Sequence, residues 1–222
     1  TGVQTCALPI WRVSVWSADG GLERAFYGPT EYGGGGTLDP QDRTRFFYKG
    51  LEFRLDWEKG ADKLVRVYSR NDDPLLAAHY GPFSPDTPLY PASGTASRRY
   101  FTSCYTHNPV SGDDVAFVWL DGDANTKLVA ALGNAHAWPV LRGEEFRGRW
   151  PEGTTPDKDS PSPEKQATFA WSDSSGDGRP QPDEVQFAAG RARGVTVMND
   201  LSFVVAQCGG AAVRFAATIA AG

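Results

Sequence analysis

Phe169-Ala-Trp171-Ser-Asp173-Ser-Ser175-Gly-Asp177-Gly178-Arg179-Pro-Gln181-Pro-Asp-Glu184-Val185-Gln-Phe187 decides how this chain folds. Its flanks alternate apolar and polar residues: Phe169 and Trp171 before the loop, Val185 and Phe187 after it. A period of two marks half-buried strands rather than helices. Between the flanks, oxygen donors fall at positions 1, 3, 5, 9 and 12 of a calcium loop, namely Asp173, Ser175, Asp177, Gln181 and Glu184. Arg179 stands at position 7, where such loops use a backbone carbonyl, and Gly178 at position 6 permits the sharp bend. Ca²⁺ is a hard cation that takes roughly six to eight oxygens, so short side chains at alternate positions can wrap it. Asp, Ser and Gly are also ordinary turn formers, and a metal-free bend could carry the same residues. Pro180 departs from paired EF-hands, which carry an aliphatic residue there. The expectation is an EF-type loop set between two strands, holding structural Ca²⁺.

Working outward, the same period of two recurs along the chain. Val13 and Val15 precede the turn Ala18-Asp-Gly-Gly21. Phe53 and Leu55 lead through Lys59-Gly60 to a return strand over residues 64–68. Val115, Phe117 and Trp119 lead through Asp121-Gly122 to Leu128-Val-Ala130. Val195 and Val197 turn at Asn199-Asp200 into Leu201 to Val205, and Cys208-Gly-Gly210 turns into Val213 and Phe215. Ala135 to Arg142 comes nearest to a helix, and Pro139 interrupts it. Four of these hairpins share a turn aspartate (Asp19, Asp56, Asp121, Asp173), at spacings that bracket the roughly 40 to 50 residues of a four-stranded propeller blade. The Pro-rich stretches Asn71 to Ser97 and Gly148 to Lys165 read as long loops inserted between strands. A sandwich would give evenly spaced short strands, which are absent. The predicted class is all-β, an incomplete β-propeller of four-stranded antiparallel blades.

Composition sets limits on function. The 222 residues include 25 Gly, 16 Pro and seven Trp, and carry a net charge of −5. Mild acidity without a basic stripe argues against nucleic-acid binding. Arg98-Arg99 and Arg191/Arg193 read as solvated surface. No apolar run approaches the roughly 20 residues that span a bilayer. Cys104 and Cys208 read as small buried hydrophobes, with one disulfide as the alternative. Residues 1–10, TGVQTCALPI, resemble a translated sequencing adapter, so residues 11–222 are expected to form a partial domain cut at both ends.

Three phrases carry a family resemblance: Phe26-Tyr-Gly-Pro-Thr-Glu-Tyr-Gly-Gly-Gly-Gly-Thr-Leu-Asp-Pro40, Phe53-Arg-Leu-Asp-Trp-Glu-Lys-Gly60 and Gly194-Val-Thr-Val-Met-Asn-Asp-Leu-Ser-Phe203. From Trp11 onward the chain resembles large bacterial proteins with NHL-like propeller repeats, of the kind met in planctomycetes and related environmental bacteria. The resemblance implies a propeller of the six-bladed type, often secreted, with metal loops like Trp171 to Gly178. Ser175 stands where that loop usually has Asn. The family brings no established activity. An extracytoplasmic setting, secreted or periplasmic, also suits a weak calcium loop.

Other candidates for chemistry are sparse. Gly33 to Gly36 lacks the Lys-Ser/Thr of a phosphate loop and reads as tight turning or close packing. Tyr27, Glu31 and Tyr32 beside it suit a carbohydrate or small polar ligand, since aromatic faces with a carboxylate suit sugars. His79, His107 and His136 show no zinc spacing, and no G-x-S-x-G elbow occurs. Trp57, Trp119 and Trp171 occupy matching hairpin places and read as core between blades. The leading expectation is a non-catalytic binding or scaffold domain. The alternative is a propeller enzyme, a lactonase or a glycan-active hydrolase or lyase. It would require two or more of Glu31, Asp39, His107 and His136 to converge in a central channel.

Overall fold

The alternating segments are strands, and each hairpin expected from the alternation is present. The structure is a computed structural model describing residues 12–27, 36–48, 50–68, 85–92, 98–103, 115–122, 125–157 and 162–218. Strands make up 47% of it with almost no helix, which places the chain among all-β proteins. It divides into two units, Thr1–Gly35 and Gly36–Gly222. Within the first, β1 (Arg12–Trp16) and β2 (Leu22–Tyr27) form an antiparallel hairpin, and Ser17 to Gly21 make its turn.

The second unit holds three antiparallel sheets, none closed. Strands β3 (Thr37–Leu38), β4 (Arg45–Tyr48), β5 (Leu51–Asp56) and β6 (Ala61–Val67) pair in chain order. A six-stranded sheet follows, again in chain order: β7 (Thr87–Leu89), β8 (Tyr100–Thr102), β9 (Val115–Asp121), β10 (Thr126–Asn134), β11 (Ala167–Ser172) and β12 (Val185–Ala189). Strands β13 (Arg193–Val197), β14 (Phe203–Cys208) and β15 (Ala211–Phe215) complete the unit. Only one of these sheets has the four strands of a propeller blade.

Two apolar clusters explain the arrangement. On one face of the six-stranded sheet, Val115, Phe117, Trp119, Phe169 and Trp171 pack with Phe47 of the four-stranded sheet and with Tyr68, which follows β6. On the other face, Ala116, Val118 and Leu132 pack with Val195, Val197, Phe203 and Val205 from the three-stranded sheet. Strand β9 therefore contributes alternate residues to both clusters. After β10 the chain folds back over the first cluster in short 3₁₀ turns, Ala135–Ala137, Pro139–Arg142 and Glu144–Arg149. Pro139 opens the second turn, where a missing N–H is harmless, so it interrupts a helix without breaking the packing. These turns seat Trp138, with no exposed surface, against Phe117 (5.4 Å), Phe169 (5.2 Å) and Trp171 (5.5 Å). Asn134 mimics a backbone strand: its side chain donates to the Ala192 carbonyl and accepts from the Ala192 N–H, both at 3.0 Å.

Several expectations need correction. Strand β7 lies inside the Asn71 to Ser97 stretch read as loop; Pro88 is tolerated there because β7 is a sheet edge. Trp57 is 54% exposed, because β5 ends at Asp56 and the indole lies on the turn, donating to the Arg43 carbonyl. Arg99 is buried, not solvated, while Arg98 beside it is exposed: consecutive strand-like residues face opposite ways. The close packing expected of the Gly33 to Gly36 run is seen at Gly36, where a Cβ would collide with the Phe46 ring. Cys208 is a free, half-buried thiol against the second cluster; Cys104, Gly33 to Gly35 and residues 1–11 lie outside the described residues.

Trp138→Ala is expected to destabilise the protein by about 3–5 kcal/mol, because a buried indole leaves a cavity that three fixed aromatic rings cannot fill. Urea unfolding of the variant against wild type measures it.

Candidate functional site

The bend Asp173 to Glu184 joins β11 to β12, whose register pairs Trp171 with Val185. Its first residue is fixed by the sheet: the Asp173 N–H donates to the Val129 carbonyl at 2.9 Å, extending the β10 pairing by one residue. The Asp173 side chain is only 1% exposed. Its Oδ1 accepts from the Gly176 N–H at 3.0 Å and stands 3.4 Å from Ser175 Oγ. Ser175 Oγ in turn stands 3.3 Å from Gln181 Oε1, and Gln181 Nε2 donates to Asp177 Oδ2 at 2.7 Å. Asp177 Oδ1 accepts the Arg179 N–H at 2.7 Å. Gly176 (φ 82°) and Gly178 (φ 77°) make the two reversals, in a region of backbone space that other residues enter only under strain.

Glu184 has a different task. Its Oε1 accepts from Ser174 Oγ (2.9 Å) and the Ser175 N–H (2.7 Å). Its Oε2 accepts from the Trp171 indole (3.0 Å) and the Gln181 N–H (3.3 Å). Gln181 and Glu184 also form a capping box around the 3₁₀ turn Pro182–Glu184. Burial alone would raise the Glu184 pKa, but these four donors outweigh it and hold the carboxyl at about 2. The carboxylate thus closes the bend on itself, and bidentate metal coordination would require exchanging those donors for an ion. Among the described residues no three His, Cys, Asp or Glu side chains stand together as a metal group. What comes together is a mixed set of oxygens: the Asp173 carboxylate, the Ser175 hydroxyl and the Gln181 amide, with the Asp177 carboxylate next to the amide.

A second polar cluster, missed from the sequence, lies between the four- and six-stranded sheets. Arg99 donates from Nε and Nη2 to Asp121 Oδ2 (2.9 and 2.6 Å) and from Nη2 to Tyr68 Oη (3.0 Å). Its guanidinium also sits over the Phe47 and Phe101 rings at 5.2 and 5.0 Å. Tyr68 donates to Glu52 Oε2 (2.6 Å), Arg45 to Glu52 Oε1 (2.6 Å), and Tyr90 to Asp39 Oδ2 (2.7 Å). Arg66 stands 3.2 Å from Asp121 Oδ1. Burial, then the Asp39 hydrogen bond, pushes the Tyr90 phenol up to about 12, and burial followed by Glu52 raises Tyr68 too. Three guanidiniums face three carboxylates, so the charges balance; the cluster is a brace, and none of its carboxylates is unpaired as a base. Strand alternation around Arg99 was the one sequence signal that could have located it.

Of the four groups proposed for a channel enzyme, the structure describes two, Asp39 and His136. Asp39 belongs to that brace. His136 donates from Nε2 to the Thr155 carbonyl (2.6 Å) and packs edge-on to Trp150 (4.8 Å), and burial pulls its pKa down. The two have no partner in common. Glu31, His79 and His107 lie outside the described residues, as do Tyr32 and the side chain of Tyr27, which ends β2. No helix among the described residues is long and apolar enough to cross a membrane. No family model, curated protein or solved structure matches the chain.

Because the Glu184 pKa drops from 4.5 unfolded to about 2 folded, its contribution to stability is present above pH 4.5 and lost as pH falls towards 2. Glu184→Gln is expected to lower stability at neutral pH and to flatten the acid limb of a stability-against-pH curve through that window, read by urea unfolding at each pH.

Proposed function

We propose that this chain is a non-catalytic binding or scaffold domain, part of a β-propeller, whose Asp173–Glu184 bend holds a structural Ca²⁺. The observation that carries the metal reading is a spacing. Oxygens at neighbouring corners of a calcium shell, with Ca–O of about 2.3–2.6 Å, stand about 3.3–3.7 Å apart. Ser175 Oγ lies 3.4 Å from Asp173 Oδ1 and 3.3 Å from Gln181 Oε1, at the long limit for hydrogen bonds and within that range. Asp177 supplies the second carboxylate, and Arg179 stands at the carbonyl position of the loop. Two carboxylates with neutral oxygens suit a weak site of the kind found in extracellular modules, which favours an extracytoplasmic setting.

The propeller reading is supported by the order of the sheets. Each pairs its strands in chain order, and the three stack face to face through the two apolar clusters. The leading strands β3 and β7 also meet, with Thr37 Oγ1 and Thr87 Oγ1 3.2 Å apart, as the inner strands of successive blades would. Strands β11 and β12 then extend one blade beyond four strands and carry the bend at its margin. A carbohydrate or small polar ligand near Tyr27, Glu31 and Tyr32 fits such a domain.

Calcium binding to the native state alone should stabilise it by about 2.7 kcal/mol at a hundred times the dissociation constant. A thermal midpoint that rises with Ca²⁺ and falls again with chelator is the expected result; a midpoint indifferent to both would remove the metal.

A further inference from the structure

The bend already contains a cation. Lys127, the second residue of β10, places its Nζ 3.2 Å from Asp173 Oδ2 and donates a hydrogen bond to the Gly176 carbonyl. The reach is set by the sheet, since β10 pairs with both β9 and β11 and Lys127 lies opposite Leu120. The stem of the side chain runs under the loop: a Cβ added at Gly178 would lie 3.7 Å from Lys127 Cγ and 3.9 Å from its Cε. The two ends of the ion pair differ in exposure. The Asp173 side chain is 1% exposed and that of Lys127 40%, so the carboxylate is shielded while the ammonium reaches water.

A carboxylate this buried requires a compensating positive charge. Two acceptors hold the ammonium, the first-position carboxylate and a loop carbonyl, both oxygens of the kind a hard cation would also take. We infer that Lys127 is the resident counter-cation of the 173–184 bend, held against Asp173 when no ion is bound and displaced outward when a divalent cation enters. Its charge keeps the empty bend folded, and its displacement weakens apparent metal affinity, because each ion must first break the Lys127–Asp173 pair. The exchange half of this inference rests on the calcium reading above; the counter-cation half does not.

The test uses the full chain as wild type, Lys127→Met and Lys127→Arg. Methionine keeps an apolar stem under the glycines and removes the charge, while arginine keeps the charge. Amide hydrogen exchange at Ser175 and Gly176 is measured in chelator, and CaCl₂ is titrated by calorimetry. In chelator, Lys127→Met is expected to exchange faster at both amides, with Lys127→Arg close to wild type. Its calcium affinity is expected to rise roughly three- to tenfold, the range an ion pair with one exposed partner supports. Equal affinity together with unchanged amide exchange in Lys127→Met would overturn the inference and leave the calcium reading standing. Faster exchange in Lys127→Met with no calcium binding by any of the three would remove the calcium reading and uphold Lys127 as the bend's own cation.

Discussion

Strand β9 offers neither face to solvent: Val115, Phe117 and Trp119 pack to one side, Ala116 and Val118 to the other. A strand apolar on both faces must be covered twice, and each cover dictates part of the chain. One is the three-stranded sheet around Val195 and Val205. The other is built from the four-stranded sheet through Phe47, from Tyr68 just after β6, and from the 3₁₀ turns that seat Trp138. The return strand β10 inherits the same fixed position. Its Lys127 is therefore aimed at the Asp173 bend by the sheet rather than by the loop itself.

The polar features solve one problem twice. Burying a charge is costly unless a partner and hydrogen bonds go with it. Between the sheets, Arg99, Arg45 and Arg66 meet Asp121, Asp39 and Glu52 together with the Tyr68 hydroxyl, and the cluster comes out neutral. At the bend, Glu184 saturates its two oxygens with four donors, and Asp173 has an ammonium beside it. The first arrangement encloses its central guanidinium, the Arg99 side chain being 8% exposed. The second has one exposed member, the Lys127 ammonium.

The strands that were legible in the sequence are those where apolar residues alternate into or out of a turn carrying Gly, Asp or Asn. Strands β4, β7 and β8 escaped because they are only three or four residues long and lack that rhythm: Phe46-Phe47-Tyr48 is apolar without a break, and β7 contains Pro88. Trp57 misled because it continues the alternation of β5 past the point where the strand ends. The bend between β11 and β12 could be read in advance, since turn residues depend on local chemistry. Lys127 could not, because the residue that neutralises Asp173 comes from a different hairpin and only the β10–β11 register brings it there. Arg99 was hidden for a similar reason: Glu52 comes from β5 and Asp121 from β9, while Asp39 follows β3 and Tyr68 follows β6.

Terbium gives the most direct test that a sheet buried on both faces holds this bend firmly enough to grip an ion through oxygen. Tb³⁺ takes oxygen ligands like those of Ca²⁺ and emits when a nearby indole is excited. The Trp171 indole lies 3.0 Å from Glu184 Oε2, inside the bend. Saturable emission at one ion per chain, quenched by excess Ca²⁺ and lost in Trp171→Phe, is the expected result. Emission that never saturates, or that Ca²⁺ leaves untouched, would contradict it.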